Sequence, residues 1–453
     1  MISRSALSRG SQLALRSRSA AKVAQRGFAA ASEKASYNPT TVAGVKVASR
    51  DDHGPTTRLA VIAKAGTRYE PLPGLTVGLE EFAFKNTEKR SALRITRESE
   101  LLGAQLSAYH TREALILQAN FLREDLPYFA ELLAEVISKT QYTTHEFLEE
   151  VEDVIHLKQS KVDNAAVALD AAHSVAFHKG LGAPLYPTPE TPVSSYLNEG
   201  NVGAFAYAAY TKSNIAVVAD GASEAGLSKW VESFFKAVPT ESQESIFSNT
   251  SKYHGGETRI SRNGSNAVVI GFNGASLGEN KPEIAVLAGL LGGESGIKWS
   301  PGFSLLSKAT SGVPGVHAHA ANFAYSDAGL FTIQISGGSA LGVRKVAEEA
   351  VKAIKSVADG SIPQEDVVKA VAKARFNLLA LSETSGAGLV HAGANLISGG
   401  QPLVVSDRLK ALESVNGDKL KAAAKTLLEG KASVASVGDL FVLPYAEDLG
   451  LKV

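Results

Sequence analysis

"LTVGLEEFAFKNT" (residues 75–87) sets two adjacent glutamates, Glu80 and Glu81, inside an apolar segment just after a Pro-Gly turn. Carboxylates rarely enter such a run without a partner or a task. The segment reads as a short helix beginning after Pro73-Gly74, with Thr76 near its cap. Neighbouring helical positions point about 100° apart, so the two glutamates are not expected to converge on one reacting atom. Catalysis by this pair alone is therefore disfavoured. Glu81 stands four residues before Lys85, the favourable order for an ion pair, which leaves Glu80 on an apolar face without an account.

Around this segment, the chain's 453 residues are too many for one ordinary domain. Hydrophobic residues make up 44% and charged residues 20%, a globular composition with sizeable cores. Lys+Arg and Asp+Glu both number 46, so no charge excess points to nucleic acid. No stretch approaches the roughly 18–20 apolar residues of a membrane span, so association with a membrane is expected only through partners. The chain has no cysteine, which excludes disulfides, thiolate-held metals or clusters, and cysteine nucleophiles.

The first 32 residues, "MISRSALSRGSQLALRSRSAAKVAQRGFAAAS", carry Arg4, Arg9, Arg16, Arg18, Lys22 and Arg26 with no acid before Glu33. An Arg-rich, Ser-rich, acid-free start without an apolar block describes a mitochondrial transit peptide. A basic tail for an acidic partner is the plainer reading, but composition and terminal position together favour targeting. "RGFAAAS" resembles a matrix cleavage pattern, which implies a transit peptide of residues 1–28 and a mature chain starting near Ala29.

The rest of the chain repeats itself. "TRLAVIAKAG" (57–66) is answered by "NAVVIGFNG" (266–274), "REALILQANF" (112–121) by "DAGLFTIQIS" (327–336), and "SNIAVVADG" (213–221) by "ASVASVGDL" (432–440). β-branched runs closed by Gly or Asp are strand signals. Helical periods lie between them. Leu126, Phe129, Leu132, Leu133, Val136 and Ile137 share one face, and Thr143 with Glu146 has capping-box spacing ahead of a helix to about Val162. A second long helix begins near Pro363. Strand pairs followed by blocks of helix argue for an α+β fold of two homologous, helix-rich halves produced by duplication, closing clam-like around a cavity. The expected limits are 29–238 and 259–453, joined by a polar linker over 239–258.

The segment "LEEFAFKNT…RSALRITRESELLGAQLSAYHTRE" closely resembles the signature region of the pitrilysin-type zinc peptidases. Within that family it is most similar to the mitochondrial processing peptidase subunits and the core proteins of respiratory complex III. Active members carry an inverted zinc motif, H-x-x-E-H, ahead of a run like Ala83-Phe84-Lys85. The resemblance places the first histidine at Val77, the general base at Glu80 and the second histidine at Glu81. A further glutamate ligand would follow residues 82–157, at Lys158. Valine has no lone pair and lysine brings a positive charge, so two of the three zinc ligands are missing. The resemblance thus implies no catalytic residue, no bound metal and no other cofactor, with Glu80 a relic base and Val77, Glu81 and Lys158 relic ligand positions. Lys158 is expected to compensate Glu80 or Glu81.

Within the family, the processing-peptidase subunit that lacks catalysis has a long glycine-rich loop. "LLGGESGIKWSPGFSLLSKA" (290–309) has only scattered glycines. The core-protein branch is therefore favoured, with the processing-peptidase subunit as the alternative. That branch implies a non-enzymatic subunit on the matrix side of the mitochondrial inner membrane. Its implied partners are core protein 1, cytochrome b, cytochrome c1 and the iron–sulfur protein in a dimeric complex.

Other features carry less. His317 and His319 would share a strand face without a third ligand. Ser382 and His391 show no nucleophile-elbow pattern, and 289–302 lacks the Lys-Ser/Thr ending of a phosphate loop. Trp299 reads equally as an interface anchor or as packing beneath its own loop.

Overall fold

β1 (Asn38–Val42), β2 (Val45–Arg50), β3 (Thr56–Ala63), β4 (Gln105–His110), β5 (Leu115–Leu122) and β6 (Ile215–Asp220) form one sheet, ordered β1-β2-β6-β3-β5-β4. β7 (Gly256–Ser261), β8 (Asn266–Asn273), β9 (Val316–Ala324), β10 (Gly329–Gly337) and β11 (Ser433–Gly438) form a second, ordered β7-β11-β8-β10-β9. With β1 set aside, the two orders are the same. The parallel pair β2–β6 is matched by β7–β11, and the other pairings are antiparallel. The three repeated segments fall on β3 and β8, β5 and β10, and β6 and β11, so the duplication is visible in the topology. The computed structural model describes residues 36–188, 191–242, 246, 249–293, 302–402 and 404–453. Trp299 and the centre of the 290–309 segment lie outside the described residues.

The first half also contributes helices α1 (Leu75–Glu81), α2 (Ala92–Leu101), α3 (Leu126–Lys139), α4 (Glu152–Lys161), α5 (Asn164–Phe177), α6 (Glu199–Ala209) and α7 (Glu224–Phe234). The second contributes α8 (Pro282–Leu291), α9 (Leu305–Thr310), α10 (Ala340–Asp359), α11 (Gln364–Glu383), α12 (Ser385–Ile397), α13 (Val405–Glu413) and α14 (Gly417–Glu429). α3 buries all six apolar residues predicted for its face against the first sheet. Pro363 stands at the N-cap of α11, as its fixed φ suits.

β6 and β11 are buried at every position, which requires both faces of each sheet to be covered. One face packs on helices of the same half. The other is covered by a helix from the opposite half. α5 lays Ala168 and Ala172 on Ala267, Val269, Ala435 and Val437 of the second sheet. α12 lays Leu389, Ala392, Leu396 and Ile397 on Ala60, Ile62, Ile116, Ala216 and Val218 of the first. Small residues permit the close approach: a Cβ on Gly393 would stand 1.9 Å from Ile62 Cδ1. Lys46 Nζ donates to the Leu396 carbonyl (2.8 Å), fixing the end of α12 to the first sheet.

Three expectations need revision. The helix predicted from Thr143 to about Val162 contains a π-helical turn, Phe147–Val151, and ends at Lys161. Its capping box is also altered. Thr143 Oγ1 accepts from Glu146 N (3.4 Å), but the Glu146 carboxylate takes the amide of Asn86 (3.0 Å) rather than that of Thr143. β7 starts at Gly256, so the last three residues of the expected linker belong to the second sheet. A space of about 300 Å³ lies between the halves, lined by Ala165 of α5 with His317, His319 and Gln334. A larger cleft of about 770 Å³ lies wholly within the second half. Among the described residues, no helix is long and apolar enough to cross a membrane.

Candidate functional site

α1 is two turns long and starts from Gly74, whose φ of 97° only glycine adopts readily. Its first amides are not capped by Thr76. Glu70 reaches forward and accepts from Gly74 N (3.2 Å) and Thr76 N (3.0 Å). A carboxylate at a helix N-terminus satisfies orphan donors and suits the dipole. The helix buries Leu75 through Glu80, so Glu80 is carried into the core by its apolar neighbours.

Glu80, Glu81 and Lys158 meet at one point. Lys158 Nζ, coming from α4, donates to Glu80 Oε1 (2.6 Å) and also to Glu81 Oε1. Neighbouring glutamates were expected to diverge; they converge because a long lysine side chain ends between them and Glu81 closes the last turn of its helix. The expected Glu81–Lys85 pair does not form. Lys85 bonds Glu150 instead, because α4 and the π-helical turn before it bring both an acid and a lysine over α1.

His110 completes the cluster. It ends β4, its side chain is 1% exposed, Nδ1 lies against Glu80 Oε2, and Nε2 donates to the Leu185 carbonyl (2.8 Å). Its ring packs edge-to-face with that of Tyr186, the centroids 5.2 Å apart. Reading the sequence did not single out His110. The available signals were its inward register at the end of a strand and a buried glutamate in need of partners. Burial pushes the Glu80 carboxyl up, but the bonds to His110 and Lys158 outweigh it and hold the group below its ordinary value. Burial pulls the Lys158 ammonium down, and its bonds to Glu80 and Glu81 carry it above its ordinary value. Both shifts describe charged partners that stabilise one another.

These residues do not fit a zinc ion. Val77 is wholly buried and offers no donor, and the Lys158 ammonium occupies the space between the two carboxylates. Among the described residues, no group of three or more His, Cys, Asp or Glu is placed to hold a metal. His317 and His319 share the exposed face of β9, as the strand period predicts. Ser382 Oγ donates to Leu379 O of its own helix, and His391 lies on the next one, its imidazole pulled down by burial.

Residues 46–189 match the family described as Insulinase (Peptidase family M16), and residues 197–374 match the Peptidase M16 inactive domain. The chain is 72% identical over 456 residues to the cytochrome b-c1 complex subunit 2, mitochondrial, of Neurospora crassa, with 100% of both chains covered. Its identity to the protein of that name from Cryptococcus neoformans var. grubii is 39%, over 91% of this chain and 94% of that one. With that of Mus musculus it is 30%, over 90% of each. Two M16-type halves in tandem and a full-length relative at this identity make the chain a non-enzymatic member of the M16 peptidase family, in the line of the mitochondrial cytochrome b-c1 complex subunits 2.

Proposed function

We propose that the chain is core protein 2 of respiratory complex III, a structural subunit that supports assembly and stability of ubiquinol–cytochrome c reductase. The carrying observation is the 72% identity over the full length to a protein named as a subunit of that complex. The cluster at α1 supports the non-catalytic part of this reading. Glu80 keeps the general-base position, Val77, Glu81 and Lys158 are relic ligand positions, and the ammonium of Lys158 supplies positive charge where a peptidase would hold its metal. The chain acts through its surfaces. We assign residues 1–28 to a transit peptide, 29–238 and 259–453 to the two halves by sequence, and the working position to the matrix side of the inner membrane.

Solubilising mitochondria in mild detergent and purifying the tagged chain tests this. Core protein 1, cytochrome b, cytochrome c1 and the iron–sulfur protein should accompany it in stoichiometric amounts. Recovery instead as a soluble pair with a zinc peptidase would support the alternative, the non-catalytic subunit of the processing peptidase.

A further inference from the structure

The seam between the halves is tied where the turn after β4 meets the β9–β10 hairpin. Arg68, 4% exposed, lies just beyond β3. Its Nη1 is 2.6 Å from Glu113 Oε1, 2.7 Å from Asp327 Oδ1 and 3.1 Å from Ser326 Oγ. Its Nη2 donates to Asp327 Oδ2 (2.6 Å) and to the Asn249 carbonyl (2.9 Å). Glu113 accepts from Ser326 N (2.9 Å) and Ser326 Oγ (2.6 Å), and Asp327 accepts from Ser251 N (2.8 Å). One guanidinium thus joins the first half, the second half and the segment that connects them.

Beside this knot, Arg112 bonds Asp170 of α5 and the carbonyls of Leu181 (3.2 Å) and Ala183. His173 of α5 bonds the Tyr325 hydroxyl through Nε2 (2.8 Å). Arg112 thereby fixes α5 within its own half. The groups that cross the seam contribute little over an apolar contact of the same shape, but separating them is costly, because each leaves a buried charge or dipole unpaired. They also specify one register, since a guanidinium donates to two carboxylates only at fixed angles. The helix exchange acts independently. Parting the halves exposes the faces of α5 and α12 together with the sheet faces beneath them.

We infer that this seam is a permanent clasp, so that the two halves move as a single body and no hinge opens between them. A subunit acting through its surfaces would then present them in one fixed arrangement.

Amide hydrogen exchange on the full-length chain reads the clasp directly, because Ser251 N–H and Ser326 N–H donate into it. Both amides should be protected as strongly as those of β10. In Arg68→Met they should exchange about 100-fold faster or more, as leaving a buried carboxylate unpaired at a cost of roughly 3 kcal/mol requires. Asp327→Asn, a milder change, should accelerate both by a smaller factor if Arg68→Met does not fold. A chain without cysteine also allows clean spin labelling at Ser233→Cys on α7 and Lys425→Cys on α14. The distance distribution should be single and narrow in the otherwise unsubstituted chain and broader with Asp327→Asn. Unprotected Ser251 and Ser326 amides in the unsubstituted chain, or two populations of distance there, would overturn the clasp. So would exchange and distances unmoved by both substitutions.

Discussion

Lys158 shows how a single residue can compensate two neighbouring carboxylates. Glu80 and Glu81 enter an apolar helix, and their cost of burial is offset by an ammonium and an imidazole rather than by a metal. If the backbone keeps the arrangement of the active peptidases, Val77→His, Glu81→His and Lys158→Glu together should create a zinc site, because histidines at i and i+4 project from one helical face. Each single change should fail, having two ligands at most. Elemental analysis after dialysis against a weak chelator is the measurement; a folded triple variant without zinc would show the ligand assignment to be wrong. A second prediction concerns Asp51, which accepts from both terminal nitrogens of Arg123 (2.7 and 2.6 Å). That bond lowers its carboxyl from 3.8 to about 2. A depressed acid stabilises fully above its unfolded value and stops doing so as pH falls through the folded one. Stability of the parent should therefore drop more steeply than that of Asp51→Asn between pH 3.8 and about 2, read from denaturant midpoints.

Among the elements, α5 and α12 each cover the sheet of the opposite half. α5 sets the small residues Ala168 and Ala172 on the second sheet, and α12 sets Leu389, Ala392, Leu396 and Ile397 on the first, with Gly393 letting its backbone approach Ile62. Ala172→Leu on α5 should overpack the contact with Ala267 and Ala435 and cost about 1–3 kcal/mol. Because α5 belongs to one half by sequence and covers the sheet of the other, the loss should appear in the unfolding of both halves. Following β3 and β8 separately by hydrogen exchange would reveal this. Confinement of the effect to β8 would argue that the halves fold independently. The small residues of α5 and α12 were legible in the sequence, but their role was not. An alanine-rich helix looks the same whether its neighbour lies in its own half or in the other.

For the whole molecule, two predictions follow from the proposed role. The mature chain should start close to Ala29, after the acid-free segment with its six basic residues. N-terminal sequencing of the mitochondrial protein should find no Met1 or Ile2; either would remove the cleavage reading. The described helices include none fit to span a bilayer, and the proposed role attaches the chain through other subunits. Alkaline carbonate or a strong chaotrope should then release the chain without detergent, since partly polar protein contacts yield to such treatment. Retention with lipid would contradict the peripheral assignment.

By itself, the sequence determined the α+β class, the duplication and the strands at its core, and through a family resemblance it suggested the ligand positions proposed at α1. These depend on local period, on turn residues and on which side chains own a lone pair, all readable over a few neighbours. The tertiary structure alone decided what completes the site and the seam. Glu80 takes His110 and Lys158, Lys85 takes Glu150, and Arg68 takes Asp327, partners 30 to 259 residues apart in the chain. No local pattern encodes such pairs, because a buried charge requires only some opposite partner, and the packing of distant elements selects which one comes within reach.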